Sequence, residues 1–337
     1  MKILIIGGTG TISTAVSRRL ADSGHELYLV NRGNSSGKLP SNVNFIQADI
    51  NDEKTVSERI GDMEFDAVCD FIGFVQPQLE RDFRLFGGRT KQFVYISSAS
   101  AYNKLPSDYI ITEGTTLANP FWEYSRNKIQ CEEYLMKMYR EQGFPVTIVR
   151  PSHTYCERSV PLGVHGKKGS WQVIKRMLDG KPVIIHGDGT SLWTMTDSRD
   201  FAEGFIGLLG NPHAIGEAFQ ITSDETLTWN QIYKTIADHL SVELKAYHVS
   251  SEFLAVVSDY DLTGSLIGDK ANSVVFDNSK LKRAVPGFRP RIRFDEGIKN
   301  TLDYILSHKE CQVEDDEFDN WCDKVISVLE NAKRQMH

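Results

Sequence analysis

Cysteine is scarce. Cys69, Cys131, Cys156, Cys311 and Cys322 are odd in number, widely spaced and never form a C-x-x-C pair, so neither a disulfide framework nor a zinc site is suggested. They read as reduced, mostly buried thiols, with no metal expected. Positive charge is in deficit as well: 38 Lys and Arg stand against 45 Asp and Glu, a formal net charge of -7. Such a chain offers no broad basic field to a phosphate backbone, although a local basic groove could survive within the acidic total, and nucleic acid is a disfavoured partner. Long apolar runs are missing too. Ile3-Leu4-Ile5-Ile6 follows Met1 almost directly, without a basic n-region or a long h-region, and no later stretch is long enough to cross a bilayer. A cytoplasmic protein with no membrane association is expected, and no internal repeat is seen.

What the chain does contain is enough apolar material, 40% of 337 residues, to bury one large core plus a smaller lobe. The first half alternates short β-branched or aromatic runs with polar amphipathic stretches, the pattern of βαβ units in a parallel sheet. Strands are expected at Ile3 to Ile6, Glu26 to Val30, Val43 to Gln47, Ala67 to Ile72, Gln92 to Ser97 and Val146 to Arg150. Their near-continuous apolar character fits burial on both faces. Ile12, Val16 and Leu20 recur at helical spacing between the first two, with Arg18, Arg19 and Asp22 on the other side. The fold class is therefore α/β, a doubly wound parallel sheet over residues 1–150, with a smaller lobe built mainly from 151–337. Beyond Pro151, Gly- and Pro-punctuated loops replace the repeat. A strand near 218–222 is expected to return to the sheet, and Thr228-Trp229-Asn230-Gln231 predicts a capping box opening a helix through Leu240. The acidic run Glu314-Asp315-Asp316-Glu317 reads as a solvated linker before a final helix.

Two motifs carry chemistry. Gly7-Gly8-Thr9-Gly10-Thr11-Ile12-Ser13 lies between the first strand and its helix, where backbone amides and the helix dipole can meet a pyrophosphate. Gly7 allows the tight turn and Gly10 a close approach of the ligand to the backbone. The second motif is Tyr124-Ser125-Arg126-Asn127-Lys128, a Y-x-x-x-K whose spacing puts phenol and ammonium on one helix face. A tyrosine with a free pKa of about 10 needs adjacent positive charge to act as a base near neutrality. Upstream, the strand Gln92 to Ser97 delivers Ser98, whose hydroxyl can bond a reacting oxygen.

Together these elements resemble the extended short-chain dehydrogenases, the NAD-dependent epimerase/dehydratase family, with Ser13 in the place of the third glycine of G-x-x-G-x-x-G. A serine there adds a side chain at the helix-strand contact and predicts some loosening. The resemblance implies a Rossmann domain in the first half and a substrate-binding lobe in the second. It assigns Ser98, Tyr124 and Lys128 to catalysis. Cofactor binding falls to Gly7, Thr9, Gly10, Thr11, Ile12, Asn31, Arg32, Asp49, Ile50, Phe71, Ile72, Gly73 and Pro151, with Tyr124 and Lys128. NAD-binding members usually carry an acid where this chain has Asn31 followed by Arg32; since arginine can pair with a 2′-phosphate, NADP is favoured over NAD.

Dehydratases of the family carry an Asp-Glu pair directly after the catalytic hydroxyl residue, where this chain has Ala99 and Ser100. That leaves an oxidoreductase or epimerase acting by hydride transfer at a hydroxyl or keto carbon, with a sugar or nucleotide sugar as substrate. Ser98, Ser100, His153 and Trp193 are the candidate substrate contacts. Trp193 stands where a diphosphate-binding arginine is usual, and Lys167, Lys168, Arg176 or Arg199 would have to compensate. The connection from Gly73 to Lys91 is short, resembling the atypical branch that includes chloroplast stem-loop RNA-binding proteins. Helices in this region usually build the family's homodimer, which the shortening puts in question. The alternative reading is a non-catalytic Rossmann protein that binds RNA or senses the cofactor.

Overall fold

The computed structural model describes residues 1–33, 39–104 and 108–336. The chain divides into two compact units: 1–154 with 196–224 and 276–291, and 155–195 with 225–275 and 292–336. The change of rhythm after Pro151 is therefore not one cut, because two later segments rejoin the first unit.

Among the described residues of the first unit, the central sheet and the helices that flank it run β1 (Lys2–Ile6), α1 (Ser13–Asp22), β2 (Glu26–Asn31), β3 (Asn44–Gln47), α2 (Glu53–Ile60), β4 (Ala67–Asp70), α3 (Gln76–Phe86), β5 (Phe93–Ile96), α4 (Glu123–Gln142), β6 (Val146–Pro151), α5 (Ser198–Leu208) and β7 (Ala218–Ile221). The seven strands form one parallel sheet in the order β7-β6-β5-β4-β1-β2-β3. The strand order reverses between β1 and β4, and in such sheets ligands bind in the crevice at the carboxyl ends beside that reversal. All six expected strands are present, and β7 is the expected returning strand, paired with β6 from Ala218 opposite Ile148.

Strand alternation explains why both faces are covered. Ile3 and Ile5 of β1 enter a core with Val16 and Leu20 of α1 and Phe201, Phe205 and Leu208 of α5. Leu4 and Ile6 enter the opposite core, with Val56 and Ile60 of α2, Leu79 and Phe86 of α3 and Leu135 of α4. The sheet is thus clamped on both sides, and its carboxyl edge is held rigidly enough to place side chains.

In the second unit Thr228 and Gln231 form the expected reciprocal cap on a helix over Trp229–His239. The acidic run is not the solvated linker its charge suggests. Asp315 is buried, caps the helix Asp316–Gln335 by accepting from Phe318 N, and accepts from Lys168 N at 3.2 Å. Asp316 and Glu317 lie in that helix's first turn, where negative charge opposes the helix dipole favourably. Among the described residues no helix is long and apolar enough to cross a membrane.

Candidate active site

The glycine turn is shaped by what glycine lacks. Gly7 adopts φ 81°, and a Cβ there would collide with Ile72 Cγ2; at Gly8 it would lie 2.6 Å from Leu29 Cδ2. No side chain caps the start of α1, which leaves that end for an anion. Ser13 tightens this turn, contrary to the loosening expected from it. It is buried, its hydroxyl donates to Gly7 O at 2.6 Å and accepts from Gly10 N at 2.8 Å. Ser17 and Thr14 add bonds to Gly8 O and Gly10 O, at 2.9 Å and 2.7 Å. Side chains on α1 thus hold the loop that a third glycine would leave to packing alone.

Beside this turn opens a cavity of about 470 Å³ lined by Gly7, Thr9 and Gly10, by Val30, Asn31 and Arg32 at the end of β2, by Ala48 to Asn51 after β3, and by Ile72, Phe74 and Gln78. Asn31 Nδ2 is buried with no hydrogen-bond partner among the described residues, while Asn31 Oδ1 accepts from Gly33 N at 2.9 Å. A buried unpaired donor is costly, so its presence in a cavity wall fits a ligand with an acceptor such as a ribose hydroxyl. Arg32 is exposed at the same wall. Asp49 accepts from Asn51 N at 2.9 Å, a turn role that coexists with its place in the lining.

Consecutive residues after β4 part company. Ile72 faces the cavity, whereas the Phe71 ring packs on Phe205, centroids 5.4 Å apart, in the core on the other side of the sheet. Phe71 is therefore a packing residue through its side chain. Gly73 offers its carbonyl to Lys128 Nζ and to Tyr95 OH. Thr11, Ile12 and Pro151 lie near the turn or at the end of β6 but not in the cavity lining.

The catalytic candidates converge at the start of α4. Asn119 accepts from Phe121 N and Trp122 N at 3.2 Å and 3.1 Å and donates to Ser100 O at 2.9 Å, tying the helix entry to the segment after β5. Ser125 Oγ donates to Ser100 Oγ at 2.8 Å, and the Ser98 and Ser100 hydroxyls are 2.8 Å apart. Ser100 and Ser125 are buried and Ser98 only half so, so this chain presents Ser98 at its open end. Ser100 is a support for Ser98 in this arrangement.

Tyr124 is half-buried between Trp122 and Phe74, at centroid distances of 4.9 Å and 6.4 Å. Lys128 is buried: Nζ donates to Gly73 O at 2.6 Å and Ile96 O at 2.8 Å, and lies 4.8, 4.9 and 5.8 Å from the ring centres of Phe74, Tyr95 and Tyr124. Burial pushes its pKa down to about 8 against the opposing pull of Asp70, Cys131 and Glu132. An ammonium has three donors, and these two carbonyls engage two of them. Phe74 joins the two ends, since it lines the cavity and also touches the Tyr124 and Lys128 cluster.

The remaining substrate candidates lie on different elements. His153 is half-buried on the short strand that follows β6. Trp193 is buried within the second unit, stacked 5.8 Å from Trp229, so its ring serves packing. Of the cations considered as replacements for a diphosphate clamp, Arg176 is buried in ion pairs with Asp319 and Asp323, Lys168 Nζ donates to Glu314 O, and Arg199 pairs with Asp197. Lys167 Nζ sits 5.5 Å from the ring centre of Tyr260.

Comparison with known proteins adds an independent line. A model of the NAD dependent epimerase/dehydratase family matches residues 3–222. The 2′-dehydrokanamycin reductase of Streptomyces kanamyceticus is 23% identical over 86% of this chain and 81% of its own length. The chloroplast stem-loop binding protein of 41 kDa b of Arabidopsis thaliana is 28% identical over 70% of this chain and 62% of its own length. Among solved structures, dTDP-glucose 4,6-dehydratase of Bacillus anthracis in complex with NAD superposes with a TM-score of 0.74, 17% identity and coverage of 92% of this chain and 98% of that one.

Proposed function

The chain belongs to the NAD-dependent epimerase/dehydratase family, and from that premise we propose that it is an NADP-using reductase or epimerase acting at a hydroxyl or keto carbon of a sugar or nucleotide sugar. The bound dinucleotide would supply or accept the hydride. Gly7, Thr9 and Gly10 would hold its pyrophosphate, Asn31 a ribose hydroxyl, Arg32 the 2′-phosphate, and Lys128 the second ribose.

The chain's own residues manage the proton and the oxygen. Tyr124 exchanges the hydroxyl proton of the substrate, Lys128 favours the phenolate by its charge, and Ser98, held by Ser100 and Ser125, bonds the substrate oxygen. Ala99 and Ser100 bring no carboxyl to this point, which disfavours water elimination. The 2′-dehydrokanamycin reductase is a relative whose name describes reduction of a keto sugar derivative, and this favours a substrate of that kind. The observation that carries the reading is the Lys128 ammonium: burying a lysine is costly, and here it is fixed by two carbonyls beside a half-buried phenol.

Non-covalent mass spectrometry of freshly purified protein tests it. A retained oxidised dinucleotide indicates an epimerase that recycles its cofactor, and an empty site that fills on adding NADPH indicates a reductase; failure to bind either dinucleotide sinks both. Arg32→Ala should weaken NADP about tenfold or more while sparing NAD, as expected for a lost charge-assisted bond worth about 1.5–3 kcal/mol. Equal loss for both cofactors would remove the NADP assignment.

A further inference from the structure

One exposed aromatic side chain stands between the two ends of the site and has no role in the reaction as described. Phe74 follows Gly73 in the turn after β4 and is 45% exposed. Single exposed apolar residues are ordinary, but this one is held in place. Its backbone N and that of Val75 both donate to Gln78 Oε1, at 2.6 Å and 3.1 Å, and Pro77 stiffens the first turn of α3. Beneath it the core is full. Gly73 is buried, and a Cβ there would strike Asp70 Oδ2 and crowd Leu79 Cδ2 and Tyr95 Cε2. The turn therefore rests on packed side chains, and the Phe74 ring stays at the surface.

That ring touches both halves of the site. It lines the cavity with Gly7, Thr9, Gly10 and Gln78, and it lies 4.8 Å from Lys128 Nζ and 6.4 Å from the ring centre of Tyr124. Lys128 itself is only 2% exposed, with the rings of Phe74, Tyr95 and Tyr124 around its ammonium. Tyr95 is buried and its hydroxyl donates to Gly73 O at 3.1 Å, while Tyr124 is the residue proposed to move the proton. Of these three rings Phe74 is the one that also lines the cavity. A molecule that rests its pyrophosphate on the glycine turn and a ribose on Lys128 must therefore pass along Phe74.

We infer that Phe74 is the contact residue for the nicotinamide riboside half of the dinucleotide, so that this chain holds the reacting half by an aromatic ring and the adenosine half by polar groups at the opposite end of the cavity. The inference rests on the dinucleotide reading proposed above. The flat faces of a nicotinamide are largely carbon, and a phenyl ring covers them without leaving a polar group unpaired. Phenylalanine has only two side-chain torsions to fix, and here the backbone beneath it is already tied to Gln78, so little freedom is lost when a ligand packs on it. Asn31 and Arg32 line the same cavity from the end of β2, where the adenosine half would lie. The contribution of Phe74 is thus confined to one half of the ligand.

Calorimetric titration of the full chain with NADPH and with 2′,5′-ADP, which carries the adenosine half and lacks the nicotinamide riboside, reads the two halves separately. Phe74→Ala should weaken NADPH roughly tenfold, the joint worth of a lost ring contact and of apolar surface left uncovered, and leave 2′,5′-ADP within about twofold of its affinity for the unaltered protein. Phe74→Tyr keeps the ring and should bind both ligands as the unaltered protein does. Equal loss of both ligands in Phe74→Ala would make the ring a support of the turn and overturn the inference. So would an unchanged NADPH affinity, or a Phe74→Tyr protein as weak for NADPH as Phe74→Ala. If the unaltered protein takes NADH in place of NADPH, the same split is read with NADH against AMP. An unaltered protein that binds no dinucleotide is a different result, because it removes the dinucleotide reading itself and the inference with it.

Discussion

The two ends of the sheet's carboxyl edge solve the same problem differently. Around β1, β2 and β3 the candidate cofactor site is an open cavity bounded by a positive-φ glycine, a helix start with no side-chain cap and an Asn31 side-chain amide that has no partner among the described residues. Around β4, β5 and α4 the groups are largely buried and held by hydrogen bonds within the chain: a serine chain and two carbonyls on Lys128. Binding a large ligand calls for room and donors, whereas moving a proton calls for exact distances in a low-dielectric setting. The second end is accordingly the more heavily bonded one.

The contrast can be broken at either end. Gly7→Ala should have the largest effect on the open side, since the residue sits at φ 81° and its new methyl would strike Ile72. Conformational cost alone is about 1–2 kcal/mol, and with the collision cofactor affinity should fall by two orders of magnitude or so, measurable by titration of nicotinamide fluorescence. A Gly7→Ala protein that binds normally would mean the cofactor does not lie over this turn.

On the buried side the lever is pH. Burial holds Lys128 down to about 8, so in the ligand-free protein the ammonium is present below that value and is lost as pH rises through it. The cofactor's kcat/KM, which reports the free enzyme, should therefore fall on an alkaline limb near pH 8. Lys128→Arg keeps the charge at all accessible pH and should push that limb upward, at some cost in rate from altered geometry. An unchanged limb would assign it to another group.

The smallest effect sharpens the comparison, because Ser13 places a side-chain lock inside the backbone-shaped end. Ser13→Ala removes both its hydrogen bonds and should cost about 1 kcal/mol in stability with a several-fold weaker cofactor. Thermal unfolding with and without dinucleotide separates the two contributions. If Ser13→Ala binds cofactor more tightly, the hydroxyl competes with the phosphate for Gly10 N instead of preparing the loop.

Legibility in the sequence follows the same division. The glycine turn and the Tyr124 to Lys128 spacing each lie on one contiguous stretch, so order along the chain carries the geometry. The bond from Lys128 Nζ to Gly73 O joins α4 to the turn after β4, and no local pattern links those positions. The side chains of Phe71 and Ile72 go to opposite faces of the sheet, an alternation that a run of consecutive residues does not display. Ser13 acts through its hydrogen bonds, which the bulk of a side chain in a glycine's place does not reveal. A run of acids likewise hides Asp315, the one that is a buried cap. The six strands and the returning strand are readable because apolar runs bounded by turn residues admit few alternatives in a parallel sheet.

The claim on which the rest depends is that Tyr124 moves the proton next to a bound dinucleotide. Tyr124→Phe should bind NADPH as the unaltered protein does, yet lose turnover of a keto sugar by about 10²- to 10⁴-fold, the usual worth of a placed acid or base. Following nicotinamide absorbance through a single turnover measures this directly. Equal turnover in the two proteins would contradict the account.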